Sequence, residues 1–205
     1  KSSSGSGTSI TLTGKATDVG SGISYYQFST NGSLTASSGG WISRTNSKTE
    51  ITQTTTVSSG GTYYFYAKDA AGNVNKKAIT ITKKVSLYSG PNKTLYLSGE
   101  KVNYTGIRLK LDFGDGVVNI IDGTPYVTNC TENTNPSQTQ KYTITVKYET
   151  STFTITTYKY QWYGTKGKDW YYWYGANSKA IGDVTLTYNG KTNNFYFDSN
   201  GIMYR

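Results

Sequence analysis

The side chains best suited to bind a ligand are the aromatic rings near the C-terminal end of the sequence. Residues 161–205 hold 12 of the 30 aromatic residues and three of the four Trp. Aromatic faces stack on sugar rings, and their quadrupole attracts quaternary ammonium groups. Five residues make up the predicted binding platform: Trp162, Trp170, Tyr172, Trp173 and Tyr196. The alternative is that these rings pack on one another, because a small hairpin array has little else to form a core.

The chain lacks the residues on which many enzymes and metal sites depend. It has no His and one Cys, so it has no Ser-His-Asp or Cys-His machinery, no Cys-rich zinc site and no internal disulfide. The tripeptide at 112–114 matches a kinase metal-binding sequence, but the other kinase motifs are missing. The spacing of Asp112, Asp115 and Asp122 does not fit a calcium loop. We therefore predict no catalytic residue, no metal and no cofactor.

The charge of the chain is basic and unevenly distributed. The net charge is +9, of which +6 falls in residues 1–84, +1 in residues 85–160 and +2 in residues 161–205. This excess favours anionic partners, or it forms an ordinary solvated surface, since no run of five or more like charges occurs. Binding of single-stranded nucleic acid is disfavoured, because the basic excess and the aromatic cluster lie in different segments. No apolar stretch approaches the roughly 20 residues of a membrane helix, so we expect no membrane insertion.

The composition predicts that strands position these side chains. Thr, Ser and Tyr number 33, 22 and 20, whereas Ala and Leu number 8 each, which is typical of strands rather than helices. Residues 8–84 show short strands at regular spacing, with turn signals such as Asn31-Gly32 between them. This pattern predicts an antiparallel sandwich. Residues 1–7, rich in Ser and Gly, are interpreted as a linker or a cloning remnant.

Two strings in residues 8–84 carry a family resemblance. They are ATDVGSGISYYQFSTNG (16–32) and GTYYFYAKDAAGNV (61–74). They resemble the bacterial immunoglobulin-like modules of surface and secreted proteins, in which a Gly-Ser-Gly turn precedes a Tyr-rich strand and an Ala-Gly-Asn turn forms the final hairpin. The resemblance covers about 75 residues. It implies a β-sandwich that serves as a spacer or a binding module.

Residues 85–160 resemble a second bacterial immunoglobulin-like family. The shared pattern opens with Tyr-Leu-Ser-Gly-Glu (96–100), continues through the alternating strand 107–113 and ends in a pair of strands within 142–160. The resemblance implies a second sandwich, and the predicted boundary between the two lies near Lys83–Val85.

An insertion at Asn129 to Pro136 departs from the pattern of this second family. We predict that the insertion is a surface loop. It would carry Cys130 as a free thiol, with no base or cation nearby to activate it.

Residues 161–205 are similar to the choline- or glucan-binding cell-wall repeats of Gram-positive surface proteins. The string NFYFDSNGIM (194–203) matches the second half of such a repeat. The string WYYW (170–173) matches its aromatic strand, and Trp162 lies near the position of its opening Trp. The resemblance implies that Trp170 and Tyr172 occupy the accessible face of their strand.

Two positions depart from the wall-repeat pattern. Asn194 and Asp183 stand where the repeat carries Trp. A choline pocket would therefore lack two of its ring walls. The departures favour a neutral glycan over choline as the ligand.

The sequence as a whole predicts an all-β fold with two tandem Ig-like antiparallel β-sandwiches and a C-terminal aromatic β-hairpin segment, at 8–84, 85–160 and 161–205. The resemblances imply a monomeric, non-catalytic fragment of an extracellular Gram-positive protein, secreted or surface-attached, with or without a catalytic domain elsewhere. Its tail would attach to cell-wall polymer or glycan, and the scarcity of Cys suits export. The alternative is an adhesin that holds a host or matrix protein by its loops or edge strands.

Overall fold

The computed structural model describes residues 1–96, 100–133, 141–159, 161–164, 170–175, 178–188 and 191–204. Within these residues the regular structure is twenty β-strands and one 3-10 turn at Thr124–Tyr126. The all-β prediction is confirmed.

The chain divides into two compact units. The first comprises Lys1–Ser86 with Leu109–Ile121, and the second comprises Leu87–Arg108 with Asp122–Arg205. The units cut across the predicted segment 85–160, because Leu109–Ile121 groups with the first 86 residues rather than with its neighbours in sequence.

Most of the first unit is built from seven strands in two antiparallel sheets. The strands are β1 (Ser2–Ser3), β2 (Ile10–Ala16), β3 (Ile23–Ser29), β4 (Ile42–Ser47), β5 (Ile51–Val57), β6 (Gly61–Asp69) and β7 (Val74–Ile81). One sheet has the order β1-β2-β5 and the other has the order β4-β3-β6-β7. Strand β4 was not predicted, because Ile42–Ser47 carries a single apolar residue and therefore shows no alternation.

A core joins these two sheets. Ile51 comes from the first sheet, and Ile23, Phe65 and Ala67 come from the second. The Phe65 ring lies 4.9 Å from that of Phe28, measured between centroids. An added Cβ at Gly14 would collide with the Phe65 ring, so the glycine lets the ring lie against the backbone of β2. Sheets that share one such core form a β-sandwich.

Two carboxylates hold the turns that join strands in the first unit. Asp18 accepts hydrogen bonds from the Ser21 hydroxyl at 2.8 Å and from the backbone N–H groups of Gly20 and Gly22. Asp69 accepts from the side-chain amide and the backbone N–H of Asn73, at 2.8 and 2.7 Å. The Ser21 hydroxyl first, then the Gly20 N–H, lowers the pKa of Asp18, and the Asn73 side chain lowers the pKa of Asp69. Both turns are therefore stabilised by the ionised forms.

Replacing both carboxylates by amides should make the free energy of unfolding less dependent on pH in the acidic range. A lowered pKa in the folded state contributes stability that is present above the unfolded value of about 3.9 and is lost as the pH falls through the folded value. We expect Asp18→Asn with Asp69→Asn to be less stable than the parent at neutral pH, and the gap to close as the pH falls below the unfolded pKa of about 3.9 and through the lowered folded pKa. Urea unfolding followed across this range measures the gap. A gap that stays constant with pH would mean that the ionised forms contribute nothing.

The next seven strands complete the part of the chain before the aromatic tail. They are β8 (Lys84–Ser89), β9 (Leu95–Tyr96), β10 (Arg108–Asp112), β11 (Val118–Asp122), β12 (Val127–Asn133), β13 (Lys141–Tyr148) and β14 (Ser151–Lys159). Their sheets have the orders β11-β10-β8 and β12-β13-β14-β9. Strand β9 pairs with β14 in parallel, and β12, β13 and β14 pair antiparallel.

The prediction of a surface loop at Asn129 to Pro136 is wrong for the first five of these residues. These residues belong to β12, and Cys130 lies opposite Ile144 of β13 in the register. Residues 134–136 lie outside the described residues. Residues 129–133 form a strand because they pair with the edge of β13. The composition of the segment itself does not reveal this pairing, because β13 lies later in the sequence.

Candidate ligand-binding face

Six strands form the aromatic tail, in two sheets of three. They are β15 (Gln161–Gly164), β16 (Trp170–Gly175), β17 (Ser178–Lys179), β18 (Gly182–Tyr188), β19 (Lys191–Phe197) and β20 (Met203–Tyr204). The sheet orders are β15-β16-β17 and β18-β19-β20, and every pairing is antiparallel. Of the predicted platform, Tyr196 lies in the second sheet and the other four residues lie in the first.

The two tail sheets share a small core of their own. Its buried members are Tyr172, Ala180, Leu186 and Phe197, with Val184, Phe195 and Met203 packed against them. Phe197 is fully buried and Tyr172 is 5 % exposed. The expectation that Tyr172 occupies an accessible face is therefore wrong. Its ring is a core residue, because the second tail sheet covers that side of β16.

For the remaining platform residues of the first tail sheet, the strand register gives the backbone positions. Trp162 lies opposite Tyr172 in the register, Trp173 lies opposite Gln161, and Trp170 lies opposite Gly164. Trp170 is partly buried, whereas the side chains of Trp162 and Trp173 lie outside the described part of the chain. The structure thus brings these three residues onto adjacent strands, and only Trp170 has a described environment.

The second tail sheet presents an exposed polar and aromatic face. On β19, Phe197 points into the core, so Tyr196 and Asn194 point outward, and both are exposed. Tyr196 is 49 % exposed and Tyr204 of β20 is 68 % exposed. The face comprises five exposed residues, which we call the outer tyrosine face: Asp183, Thr185, Asn194, Tyr196 and Tyr204.

Register and side-chain contacts fix the layout of the outer tyrosine face. Tyr196 lies opposite Asp183 on one side and opposite Tyr204 on the other. The two Tyr rings have centroids 6.0 Å apart and planes at 66°. Beside them the Thr185 hydroxyl donates to the Asn194 side-chain oxygen at 2.7 Å. Directly opposed residues have Cβ atoms about 5 Å apart, so Asp183 and Tyr196 are direct neighbours on this face.

A tight turn returns the chain so that Tyr204 reaches Tyr196. The Asp198 carboxylate accepts hydrogen bonds from the N–H groups of Asn200 and Ile202, both at 2.8 Å. Gly201 has a φ of +76°, a conformation that glycine adopts without strain. This turn lays β20 against β19 and completes the aromatic pair.

The outer tyrosine face suits a neutral polyol better than a quaternary ammonium ion. One ring can stack on a sugar, and the adjacent carboxylate and amide can bond its hydroxyl groups. A quaternary ammonium ion is held best between several enclosing rings. Here the two rings contact each other edge to face, so they leave no slot between them for a cation.

Two members of this face were not predicted from the sequence, and two more were noted there for a different reason. Thr185 and Tyr204 were not singled out, although alternation along β18 and the turn at Asp198 place them beside Asn194 and Tyr196. Asn194 and Asp183 were noted only as departures from a Trp pattern. The structure shows that both lie on the same exposed face as Tyr196 and supply its polar groups.

A second polar cluster lies on the four-stranded sheet of the second unit. Lys159, nearly buried, pairs with Glu132 at 2.6 Å between Nζ and Oε1. Burial opposes its charge, but Glu132 and the Tyr142 hydroxyl outweigh burial and raise the pKa of Lys159. Burial, then Cys130, raises the pKa of Tyr104. Lys159 and Glu132 thus form a partly buried ion pair in this sheet.

The described residues contain neither a cluster of metal ligands nor a membrane-spanning helix. No three Cys, Asp or Glu side chains there are grouped as metal ligands would be. No helix in that part of the chain is long and apolar enough to cross a membrane.

Comparison with protein-family models, with curated proteins and with solved structures finds no match for the chain. The Ig-like and wall-repeat resemblances rest on the sequence motifs alone and stay predictions.

Proposed function

We propose that the chain is a non-catalytic part of a modular bacterial surface or secreted protein, and that its tail binds a neutral cell-wall glycan. The observation that carries the proposal is the outer tyrosine face, where exposed Tyr196 and Tyr204 stand beside Asp183 and Asn194. The two-sheet core of the first unit supports a role as a rigid Ig-like spacer. The extracellular Gram-positive setting is supported by the motifs quoted above.

The affinity of one such face for a small glycan should be low. One stacking ring and a few hydrogen bonds of roughly 0.5–1.5 kcal/mol each barely offset the cost of association, so we expect a Kd of about a millimolar or weaker. Retention on an intact wall would be stronger, because a polymer presents many sites at high effective concentration.

Substitution of the exposed ring tests the proposal. We expect Tyr196→Ala to weaken binding of wall-derived or glucan oligosaccharides about three- to tenfold, because one stacking surface is lost. Asn194→Ala should weaken it too, by removing a partner for a sugar hydroxyl. Titration monitored by NMR, together with retention on purified cell walls, measures both effects. Choline should give no shift of the Tyr196 resonances.

Tyr88→Ala is the matched control, since Tyr88 is an exposed Tyr of β8 outside the tail. It should leave glycan binding unchanged. If Tyr196→Ala and Tyr88→Ala behave alike, the tail rings only pack and the adhesin alternative replaces this proposal. A panel of matrix proteins would then be the next screen.

A further inference from the structure

Two strands of the first unit have backbone edges that the described residues leave largely open. β7 is the last strand of its sheet and pairs with β6 alone. β2 pairs with β5 along its whole length, but on its other side it meets only β1, opposite Ile10 and Thr11. Beyond these two residues, Leu12–Ala16 has no strand neighbour on that side in the described part of the chain. Unpaired edges are templates for an added strand.

A groove lies between these two edges. One part of it, about 390 Å³, is lined by Leu12 and Gly14 of β2 and by Phe65 and Ile79 of the opposite sheet. A second part, about 540 Å³, also includes Phe65, so the two are adjacent. The first part has a largely apolar lining, the second part is mixed polar and apolar, and both parts run along β7. An extended chain laid along β7 would therefore find pockets for alternate side chains.

The charges around the groove favour an acidic occupant. Lys77 lies opposite Phe65 in the register, so it is on the core-facing side of β7, yet it is exposed. Lys15 also lines both parts of the groove, but its ammonium pairs with Glu50 at 2.8 Å. The ionised carboxylates of Asp18 and Asp69 line the second part, so it is at Lys77 that the groove favours an acidic group.

A second copy of this chain fits the groove poorly. The sequence of β7 is Val-Asn-Lys-Lys-Ala-Ile-Thr-Ile, with two Lys and no acid. Pairing β7 with another β7 would bring like charges together, which is destabilising. An inward Lys on an edge strand also guards against such self-association.

We propose that this groove binds an extended acidic segment of a partner protein as an added strand along β7. Main-chain hydrogen bonds to β7 would supply affinity. Apolar side chains on one face of the segment would cover Phe65 and Ile79, and a carboxylate on the same face would pair with Lys77. The groove and the outer tyrosine face consist of different residues, so an experiment can contradict one proposal without contradicting the other.

The probe is a soluble, fluorescein-labelled eight-residue peptide, as long as β7. It alternates Thr and Val, with one inward Val replaced by Asp, and its twin carries Lys instead of Asp. We expect the Asp peptide to bind with a Kd on the order of 100 µM, more weakly at high salt. Hydrogen exchange should slow at alternate amides of β7, the ones that point away from β6. That readout distinguishes an added strand from contact with loops.

Lys77→Glu should weaken binding of the Asp peptide about tenfold or more and restore binding of the Lys twin. Lys48→Glu, at an exposed turn of the same unit, is the control. At a salt concentration that screens long-range charge effects, it should leave the Kd within about twofold. Equal effects of the two variants would overturn the proposal, as would peptide binding with no slowing of exchange in β7. Slowed exchange of β7 with no peptide, rising with protein concentration, would overturn it in favour of a second copy. Absence of binding up to millimolar peptide would overturn it outright.

Discussion

Phe65→Ala is expected to cost the first unit about 3–5 kcal/mol of unfolding free energy. The ring is 8 % exposed and sits between the two sheets of the sandwich, against Phe28 and Tyr26. Removing the ring leaves a cavity beneath Gly14, which has no side chain of its own to fill the space. Since small domains have only 5–15 kcal/mol of stability in total, the unit should be partly unfolded in the variant.

Urea unfolding followed by the NMR resonances of β2 to β7 measures this loss. Thr54→Ala is the control, because Thr54 is exposed on β5 and should cost less than about 1 kcal/mol. A loss below about 1 kcal/mol for Phe65→Ala would show that the two sheets do not depend on this ring for their association.

Phe197→Ala and Tyr196→Ala should separate packing from binding in the tail. The two residues are neighbours in β19 with opposite exposures, 0 % and 49 %. Phe197→Ala should destabilise the tail core by about 3–5 kcal/mol and abolish retention on cell walls, because the outer tyrosine face depends on that core. Tyr196→Ala should weaken binding while costing the tail less than about 1 kcal/mol.

Thermal unfolding of the tail resonances and wall retention should be measured on the same samples. If both variants lose stability equally, Tyr196 is part of the packing and the platform interpretation fails. If Phe197→Ala keeps full retention on walls, the binding face lies elsewhere in the chain.

Local sequence signals located several strands. Period-two alternation placed the strand at 107–113 and the strand pair within 142–160 to within two residues of β10, β13 and β14, because alternation acts over a few positions. The Asn31-Gly32 turn signal and the ring-rich tail were visible for the same reason. Strand β8, by contrast, begins at Lys84, where a domain boundary was expected, and it pairs with β10, a strand distant in sequence.

What the sequence determined alone was therefore the all-β character, the positions of several strands, and the concentration of aromatic side chains in residues 161–205. Tertiary structure decided which face of each strand is covered. Alternation defines two faces but does not say which of them another sheet will bury, since the covering residues come from distant segments. Tyr172 and Tyr196 illustrate the difference, because both were assigned to one platform and only Tyr196 is exposed. The same limit applies to Lys77, which is exposed although it lies opposite Phe65 on the core-facing side of β7.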